Sequence, residues 1–308
     1  MAKMDNQSPN NAEFRSGFAA LIGRPNVGKS TLMNALVGQK VAIMSNRPQT
    51  TRNRIRGVMT TETEQIIFVD TPGIHHPKHR LGEYMVEAAE ATFKEVDLIV
   101  FVADVTETGT QQDEEVLKRL TGVQTPVILV LNKVDAVAKP AVLTKIEAYR
   151  NLYAFEEIVP VSAKDGTQVA DLRQVITRFM PEGPKYYPDE TVTDHPEQFI
   201  IAEFIREKVL RLTREEVPHS VMVDIEQLER REESDVLYVH AVIYTERDSQ
   251  KAILIGKQGS MLKRVGELAR KELEGLFGTK VYLELWVKVK KDWRNEPSLL
   301  RRFGFQDL

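Results

Sequence analysis

Residues 23–30, GRPNVGKS, impose the strongest constraint on the fold of this 308-residue chain. They match G-x-x-x-x-G-K-S, follow the apolar run FAALIG and open the amphipathic stretch TLMNALVG. This is the strand–loop–helix context of a phosphate-binding loop, in which Gly23 and Gly28 let the backbone approach phosphate oxygens. The motif predicts a nucleoside triphosphate site, with Lys29 reaching the β and γ phosphates and the Ser30 hydroxyl binding Mg²⁺.

The motif DTPG (70–73) ends an apolar run and extends this phosphate site. Asp70 can hold Mg²⁺ through a water molecule, and the Gly73 amide can sense the γ-phosphate.

Two later motifs select guanine as the base. NKVD (132–135) and SAK (162–164) each end an apolar run. The Asp135 carboxylate can accept from guanine N1–H and N2–H₂, a pair of donors that adenine lacks. We expect Asn132 at the other edge of the base, Lys133 over its ring, and a backbone N–H of SAK at guanine O6. All four motifs follow strands expected to be parallel, at whose carboxyl ends ligands bind.

Together these motifs predict that the chain binds GTP and GDP. The predicted nucleotide-binding residues are Gly23, Asn26, Val27, Gly28, Lys29, Ser30, Thr31, Asp70, Gly73, Asn132, Lys133, Asp135, Ser162, Ala163 and Lys164.

The periodicity of the first 180 residues predicts an α/β fold. Continuous apolar runs separated by amphipathic stretches are typical of a parallel sheet that is buried on both faces. The runs are 18–22, 65–69, 97–103, 126–131 and 158–161. We predict a P-loop NTPase G domain over residues 16–180, with a mostly parallel sheet and helices on both faces.

The remaining segments divide into an arm, a linker and a second domain. Residues 1–15 lack an apolar signal core and predict a disordered arm. Residues 181–197, rich in proline, acids and tyrosine, predict a linker. Residues 198–308 predict a smaller α+β domain in the order α-β-β-α-α-β-α. Its predicted helices are 198–213, 249–255, 260–277 and 293–303, and its strands are 220–227, 236–245 and 281–289.

Charge is unevenly distributed along the chain. The net charge is −3, yet residues 257–302 contain twelve Lys and Arg against six Asp and Glu, a local charge of +6. Such a basic patch on an acidic body predicts a localised site for a polyanion. The absence of cysteine excludes disulfides and thiolate metal sites and suits a reducing cytosol.

The segment TTR within QTTRN (49–53) resembles the first switch of the GTPase subgroup that includes TrmE, Era and EngA. The resemblance implies that Thr51 completes the Mg²⁺ shell with Ser30 and Asp70, with Thr50 as the alternative. It also implies that Asn26 recruits K⁺ beside the phosphates, although Asn26 can equally serve to shape the loop. Ile74 stands where Ras-like proteins carry a water-orienting Gln, so we expect slow hydrolysis. The expected catalytic set is Lys29, Asn26, Thr51 and Gly73.

The loop IGKQG (255–259) lies between a short and a long predicted helix, which resembles the order of a type II KH domain. Such a loop clamps the backbone of about four nucleotides beside an apolar groove for unstacked bases. We expect Ile253, Leu254 and Ile255 to wall that groove. The expected RNA-binding residues are Ile255, Gly256, Lys257, Gln258, Gly259, Ser260, Lys263, Arg264, Lys288, Lys290 and Lys291. The alternative is a simple turn between helices with a solvated lysine face.

The whole arrangement resembles the Era family of bacterial GTPases, from about residue 14 to residue 303. The resemblance implies a cytoplasmic monomer that binds the 3′ end of 16S rRNA, assists maturation of the 30S subunit, and makes peripheral contact with the inner face of the membrane. One rival interpretation is a GTP-gated protein-interaction switch, and another is a membrane-associated scaffold that uses the basic C-terminus. HHPKH (75–79) is interpreted as a mobile, solvated switch segment rather than a metal site.

Overall fold

A computed structural model describes residues 13–45, 47, 49–77, 79–107, 110–231 and 235–305. Of the arm that the sequence predicted over residues 1–15, residues 1–12 lie outside the described residues, and Arg15 begins the first strand.

The first domain is built on a six-stranded sheet in the order β2-β3-β1-β4-β5-β6. All neighbouring pairs are parallel except β2 and β3, which are antiparallel. The strands are β1 (Arg15–Ile22), β2 (Ile55–Thr60), β3 (Glu64–Asp70), β4 (Leu98–Asp104), β5 (Val127–Asn132) and β6 (Ile158–Pro160). The mostly parallel sheet was predicted, but the strand β2 was not.

Helices cover both faces of this sheet. They are α1 (Lys29–Val37), α2 (Arg80–Ala91), α3 (Gln111–Arg119), α4 (Lys139–Arg150) and α5 (Val169–Phe179). Neighbouring residues of one strand enter different cores: Val100 belongs to one apolar cluster and Phe101 to the other. Two buried faces explain why the strands read as continuous apolar runs.

The segment between the domains lies against the first sheet. The Val58 amide of β2 donates to the Val192 carbonyl at 2.8 Å, and Gln65 of β3 accepts from the Tyr186 and Tyr187 amides. The predicted linker is therefore held against the sheet by hydrogen bonds to both the backbone and a side chain of the first domain.

The second domain is a three-stranded sheet in the order β7-β8-β9, with β7 antiparallel and β9 parallel to β8. Its elements are α6 (Glu197–Leu212), α7 (Val217–Ser220), β7 (Met222–Arg231), β8 (Val236–Thr245), α8 (Asp248–Ile255), α9 (Ser260–Phe277), β9 (Lys280–Val289) and α10 (Pro297–Arg302). The last predicted helix differs, since a 3₁₀ turn at Trp293–Asn295 precedes α10. Pro297 lacks the N–H that a continuous helix would need.

The two faces of this second sheet have different neighbours. Helices α6 and α9 pack on the face formed by Leu237, Val239 and Val281. Helices α10 and α2 cover one end of the opposite face, around Val242 and Tyr244. Among the described residues, the helices lack the combination of length and apolar character needed to cross a bilayer.

Candidate nucleotide and RNA sites

The phosphate-binding loop is closely packed against its surroundings. A Cβ at Gly23, whose φ is +152°, would lie 2.4 Å from the Val102 carbonyl oxygen, and one at Gly28, whose φ is +101°, would lie 2.3 Å from Asn132 Nδ2. Both positions therefore require glycine. Gly28 directly precedes α1, so the first amides of this helix face the loop and are available to an anion.

Three oxygen-bearing side chains meet at the start of α1. Ser30 Oγ and Thr51 Oγ1 lie 2.9 Å apart, and they donate to Asp70 Oδ2 at 2.6 and 3.1 Å. Within the described part of the chain, the buried Asp70 Oδ1 has no hydrogen-bond partner. An all-oxygen cluster with an unsatisfied carboxylate oxygen has the donor chemistry that Mg²⁺ prefers. These residues therefore fit the metal that the sequence predicted.

Thr50, the alternative ligand, is oriented away from this cluster. Its hydroxyl donates to the Arg47 carbonyl at 2.7 Å. The structure thus brings Thr51, and not Thr50, to Ser30 and Asp70.

Lys29 and Asp70 are both buried, and burial changes the pKa of each. Burial lowers the pKa of Lys29 to about 8, partly offset by the charge of Asp70. Burial raises the pKa of Asp70, partly offset by Lys29 and the two hydroxyls. Lys29 Nζ donates to the Gly23 and Arg24 carbonyls at 3.0 Å each. An anion that approaches Lys29 would stabilise the charged form of its amine.

The base-recognition residues converge at the ends of β5 and β6. Ser162 Oγ donates to Asp135 Oδ1 at 2.8 Å, which orients the carboxylate and leaves its second oxygen for a ligand. Lys133 Nζ donates to the Asn26 carbonyl at 2.9 Å and contacts Asp104 at 2.5 Å, so it lies beside the phosphate loop. Ala163 is buried and Lys164 is exposed.

Asn132, predicted at the edge of the base, also has contacts within the protein. The residue is only 2% exposed. Its Nδ2 donates to the Val27 carbonyl at 2.9 Å, and its Oδ1 accepts from the Ala163 amide at 3.0 Å. Asn132 therefore ties the phosphate loop to the SAK loop, because both ends of its amide bind protein atoms.

A cavity of about 360 Å³ opens at the phosphate end of this site. It brings together the predicted residues Asn26, Gly28, Lys29, Ser30, Thr31, Thr51, Gly73 and Lys133. Ile74, beside it, is 4% exposed and packs in the apolar core, so its side chain is unavailable to a water molecule.

The histidines at 75–79 have separate partners. His75 Nδ1 lies 2.8 Å from the Gly73 carbonyl, and His76 lies 3.0 Å from Glu115. His79 accepts from the Gly82 amide at the start of α2. Lys78 lies outside the described residues.

The loop between α8 and α9 needs its two glycines for different reasons. Gly256 has φ +70° and ψ 175°, and a Cβ there would lie 2.7 Å from Met261 Cβ. Gly259 has φ +78°, and its Cβ would point into open space among the described residues. The neighbouring Lys257 and Gln258 are exposed. Gly256 therefore serves the packing of the loop, whereas Gly259 leaves room for a ligand.

A groove of about 400 Å³ runs from this loop between α9 and β9. The lining residues are Gly259, Leu262, Lys263, Gly266, Glu267, Arg270, Leu283 and Leu285. Sequence reasoning missed the walls of this groove. Leu262, Gly266 and Arg270 recur at helical spacing and form one wall, and Leu283 and Leu285 alternate along a strand and form the other. Leu254, predicted to wall the groove, is instead fully buried in the core of the second domain. Ile255, also predicted there, packs against that same core.

The predicted cationic residues divide between several surfaces. Lys263 lines the groove, and the exposed Arg264 pairs with Glu267 on α9. Lys288 lies apart from the groove, because it pairs with Glu226 on the sheet face opposite α6 and α9. Ser260, Lys290 and Lys291 are exposed.

The switch segment that contains Thr51 is fastened to the second domain, a contact that the sequence analysis missed. Arg52 is 4% exposed and donates to the carbonyls of Val221, Pro218 and His219 at 2.6, 3.3 and 3.2 Å. In the opposite direction, the buried Arg206 of α6 donates to the Thr50 carbonyl. The two neighbours of Thr51 therefore both bind the second domain.

A partly buried ion network extends this contact to α9. Glu207 of α6 accepts from Lys40 at 2.8 Å and from the Met44 amide at 2.9 Å. Lys40 also contacts Glu272 of α9. Although burial opposes it, hydrogen bonds from Lys208 and Lys40 hold the pKa of Glu207 below its usual value.

The segment before Thr51 also belongs to both cores. Val41 and Ala42 are buried in the core of the first domain, whereas Ile43 is fully buried in the core of the second. The switch segment thus bridges the domains through apolar contact as well as through ion pairs.

Comparisons with known proteins agree with this architecture. Residues 18–133 match the family described as 50S ribosome-binding GTPase, and residues 216–294 match the KH domain family. The chain is 42% identical to Era in a crystal structure with MgGDPNP and nucleotides 1506–1542 of 16S ribosomal RNA. It is also 42% identical to a variant of Aquifex aeolicus Era bound to GDP and AlF₄⁻. Each alignment covers 95% of this chain and 99% of the relative, with a TM-score of 0.92.

Proposed function

The chain belongs to the Era family of GTPases, and on that premise we propose that it hydrolyses GTP and binds the 3′ end of 16S rRNA in 30S subunit biogenesis. The observation that carries this proposal is the position of the switch segment. Thr51 lies in the metal-binding cluster while its neighbours Thr50 and Arg52 bind the KH domain. One short segment therefore contacts both the GTP site and the RNA-binding domain.

The residues around the cavity have separate roles in hydrolysis. Ser30 and Thr51 would hold Mg²⁺ directly and Asp70 through water, and the metal would offset charge on the β and γ phosphates. Lys29 and the first amides of α1 bind the phosphate oxygens, and the Gly73 amide contacts the γ-phosphate.

We propose slow turnover, because the position after DTPG carries a buried isoleucine. Ile74 offers no hydrogen-bonding group to orient the attacking water. Asn26 lines the phosphate end of the cavity with a φ of +67°, and we propose that it helps to place K⁺ beside the transferred phosphate.

Replacing K⁺ with Na⁺ is expected to slow GTP hydrolysis by about tenfold or more while changing GTP affinity much less, because the cation acts at the developing charge of the transition state. Single-turnover rates and equilibrium binding in matched chloride salts measure the two effects. In Asn26→Ala the difference between the salts is expected to disappear. Equal wild-type rates in both salts would leave Asn26 as a residue that shapes the loop.

The nucleotide state is coupled to the KH domain by direct contact. When Thr51 leaves the metal cluster, Thr50 and Arg52 must move with it, because adjacent Cα atoms are fixed about 3.8 Å apart. Their hydrogen bonds to α6 and α7 would then break or carry the KH domain along. A segment that is ordered by the γ-phosphate and its metal is a common switching element. We propose that GTP in this way favours the domain orientation that binds RNA.

Arg52→Ala is expected to weaken the dependence of RNA affinity on nucleotide. In the wild type we expect RNA to bind about 5- to 150-fold more tightly with a GTP analogue than with GDP. In the variant this ratio should fall several-fold, because the Arg206 and Ile43 contacts remain, while GTP affinity stays within a few-fold. Fluorescence anisotropy with labelled RNA from the 1506–1542 segment measures the ratio.

Arg54→Ala is the matched control for this experiment. It removes the same charge from the same segment, but Arg54 pairs with Glu95 of the G domain at 2.6 Å. Its nucleotide dependence should equal that of the wild type. A wild type that binds RNA equally in both nucleotide states would contradict the coupling, and one that does not bind RNA would contradict the RNA-binding function itself.

The rival function is a GTP-gated switch that contacts proteins through the second domain. The open space beside Gly259, the exposed Lys257 and the adjacent apolar groove favour RNA, since a phosphate backbone needs close approach and unstacked bases need an apolar wall. Saturable protein binding without RNA binding would favour the rival.

We further propose that the protein acts in the cytoplasm as a monomer with peripheral contact to the inner face of the membrane. Such contact would have to be electrostatic, because Trp293, Leu300 and Phe303 are buried against the sheet and α2. The exposed Arg301 and Arg302 supply the positive charge that anionic headgroups attract.

A further inference from the structure

The KH sheet carries exposed aromatic side chains on the face that is turned away from α6 and α9. Tyr282 is 58% exposed and Trp286 is 54% exposed, and both lie on β9. Tyr238 of β8 lies beside Tyr282 with ring centroids 5.3 Å apart, and His240 lies 6.5 Å from Trp286. We call Tyr238, His240, Tyr282 and Trp286 the aromatic platform.

The platform occupies the end of this face that lies away from the G domain. At the other end, helices α2 and α10 bury Val242 and Tyr244. An exposed group of large aromatic rings is costly in water and often marks a binding surface. Trp286 Nε1 also donates to Glu284 at 2.8 Å, which orients the indole ring without covering it.

The platform is continuous with the proposed RNA groove. Strand β9 forms the edge of the sheet, and its side chains alternate between the two faces. Leu283 and Leu285 line the groove, while Tyr282 and Trp286 belong to the platform. A strand of RNA that leaves the groove across this edge therefore meets the platform at the next residues of β9.

Two lysines flank the rings of the platform. Lys280 and Lys288 are exposed residues of β9 that share the alternation of Tyr282 and Trp286. Lys288 pairs with Glu226 at 2.9 Å and Glu284 accepts from Trp286, so two carboxylates balance the two lysines. The platform therefore offers its rings rather than a net charge, and base stacking on aromatic side chains is a contribution that tolerates any sequence.

We propose that the aromatic platform is a second RNA subsite that stacks bases of the strand as it leaves the groove. This inference rests on the proposed RNA-binding function and extends it. A KH loop holds only about four nucleotides, whereas the Era relative was crystallised with nucleotides 1506–1542. Stacking on an aromatic side chain contributes about 5- to 150-fold in affinity per base and tolerates any base.

The test compares short and long fragments of the 1506–1542 segment. Trp286→Ala and Tyr282→Ala are expected to weaken a fragment of about twelve nucleotides by about tenfold each, and the double variant by about 100-fold. A fragment of about four nucleotides, which fills only the loop and groove, should bind as it does to the wild type. Tyr282→Phe retains the ring and should retain the affinity.

Tyr186→Ala is the matched control, since Tyr186 is 52% exposed but makes an edge-to-face contact with Phe18 of the G domain. Its affinity for both fragments should equal that of the wild type. GTP affinity should be unchanged in every variant, which separates loss of the subsite from loss of the fold.

Tryptophan fluorescence gives a second readout. The chain has two tryptophans, of which Trp293 is fully buried and Trp286 is exposed. Acrylamide quenching of the folded protein therefore reports mainly on Trp286. The long fragment should protect the emission from acrylamide, and the short fragment should not.

The outcomes distinguish this inference from the proposed function. Binding of neither fragment would overturn both. A different set of results would overturn the subsite alone. In that case the short fragment binds, the platform variants bind the long fragment as the wild type does, and Trp286 is not protected from acrylamide.

Discussion

Replacing Asp135 with asparagine is expected to lower the affinity for GTP by about 10⁴-fold and to raise the affinity for xanthosine triphosphate. Ser162 holds one carboxylate oxygen at 2.8 Å and leaves the other for the base. In the variant the amide oxygen can still accept from Ser162, so the NH₂ group would face the N1–H and N2–H₂ donors of guanine. Donors that face each other leave buried polar groups unpaired. In sites that recognise a ligand by hydrogen bonds, such a mismatch lowers the preference for that ligand by ~10⁴-fold. Xanthine has a carbonyl at C2 and can accept from the new amide.

Competition binding between GTP and xanthosine triphosphate measures this switch. Asp165→Asn is the matched control, because it makes the same chemical change in the adjacent loop, where Asp165 accepts from the Thr167 amide at 2.9 Å. The control should prefer GTP as the wild type does. An Asp135→Asn protein that still prefers GTP would remove the assignment of Asp135 to the base.

Gly259→Asp is expected to weaken RNA binding by about 100-fold relative to Gly259→Asn. Asp and Asn tolerate positive φ better than most residues, and a Cβ at this position meets open space. The two variants differ mainly in charge at the point where a phosphate must approach. Two unit charges about 4 Å apart interact by ~4 kcal/mol near a protein surface, and solvent screening reduces this to about 2–3 kcal/mol.

Filter binding or anisotropy with single-stranded RNA measures the ratio between these variants, and GTP affinity should be the same in both. The corresponding change at Gly256 is less informative, because its Cβ would collide with Met261 and distort the loop itself. The ratio should fall as salt is added, because counterions screen the introduced charge. Equal RNA affinities of the Asp and Asn variants would show that this loop does not approach a phosphate.

The fold and the nucleotide motifs were predictable from the sequence because their causes are local. In the phosphate-binding loop the apolar strand, the glycines and the following helix lie within a few residues of one another. The parallel strands then bring the motifs at their carboxyl ends to the same edge of the sheet. The antiparallel β2 was not predicted, since the short stretch IRGVMT lies between polar switch residues. Its strand character depends on pairing with β3.

Sequence reasoning did not find the contacts of the candidate sites that join distant residues. Asn132 was predicted at the base, and its contacts to Val27 and Ala163 join residues that are 105 and 31 positions apart along the chain. Arg52 was not singled out, since no local pattern distinguishes an arginine that binds carbonyls 166 to 169 residues away. The separation of Lys288 from the groove could have been predicted, because the alternation of Leu283, Leu285 and Val287 assigns the even positions of β9 to the opposite face.

The fastening of the switch segment by Arg206 and Val221 has a consequence for synthesis of the chain. The phosphate loop and Arg52 leave the ribosome roughly 150 residues before Arg206, which corresponds to about 10–30 s at ordinary elongation rates. During that interval Ile43 has no second-domain core to enter, and Thr51 lacks the contacts that hold its neighbours. We expect the nascent G domain to fold with its first switch unfastened. The newly made protein can then couple GTP binding to RNA binding only after its second domain has been synthesised and has folded.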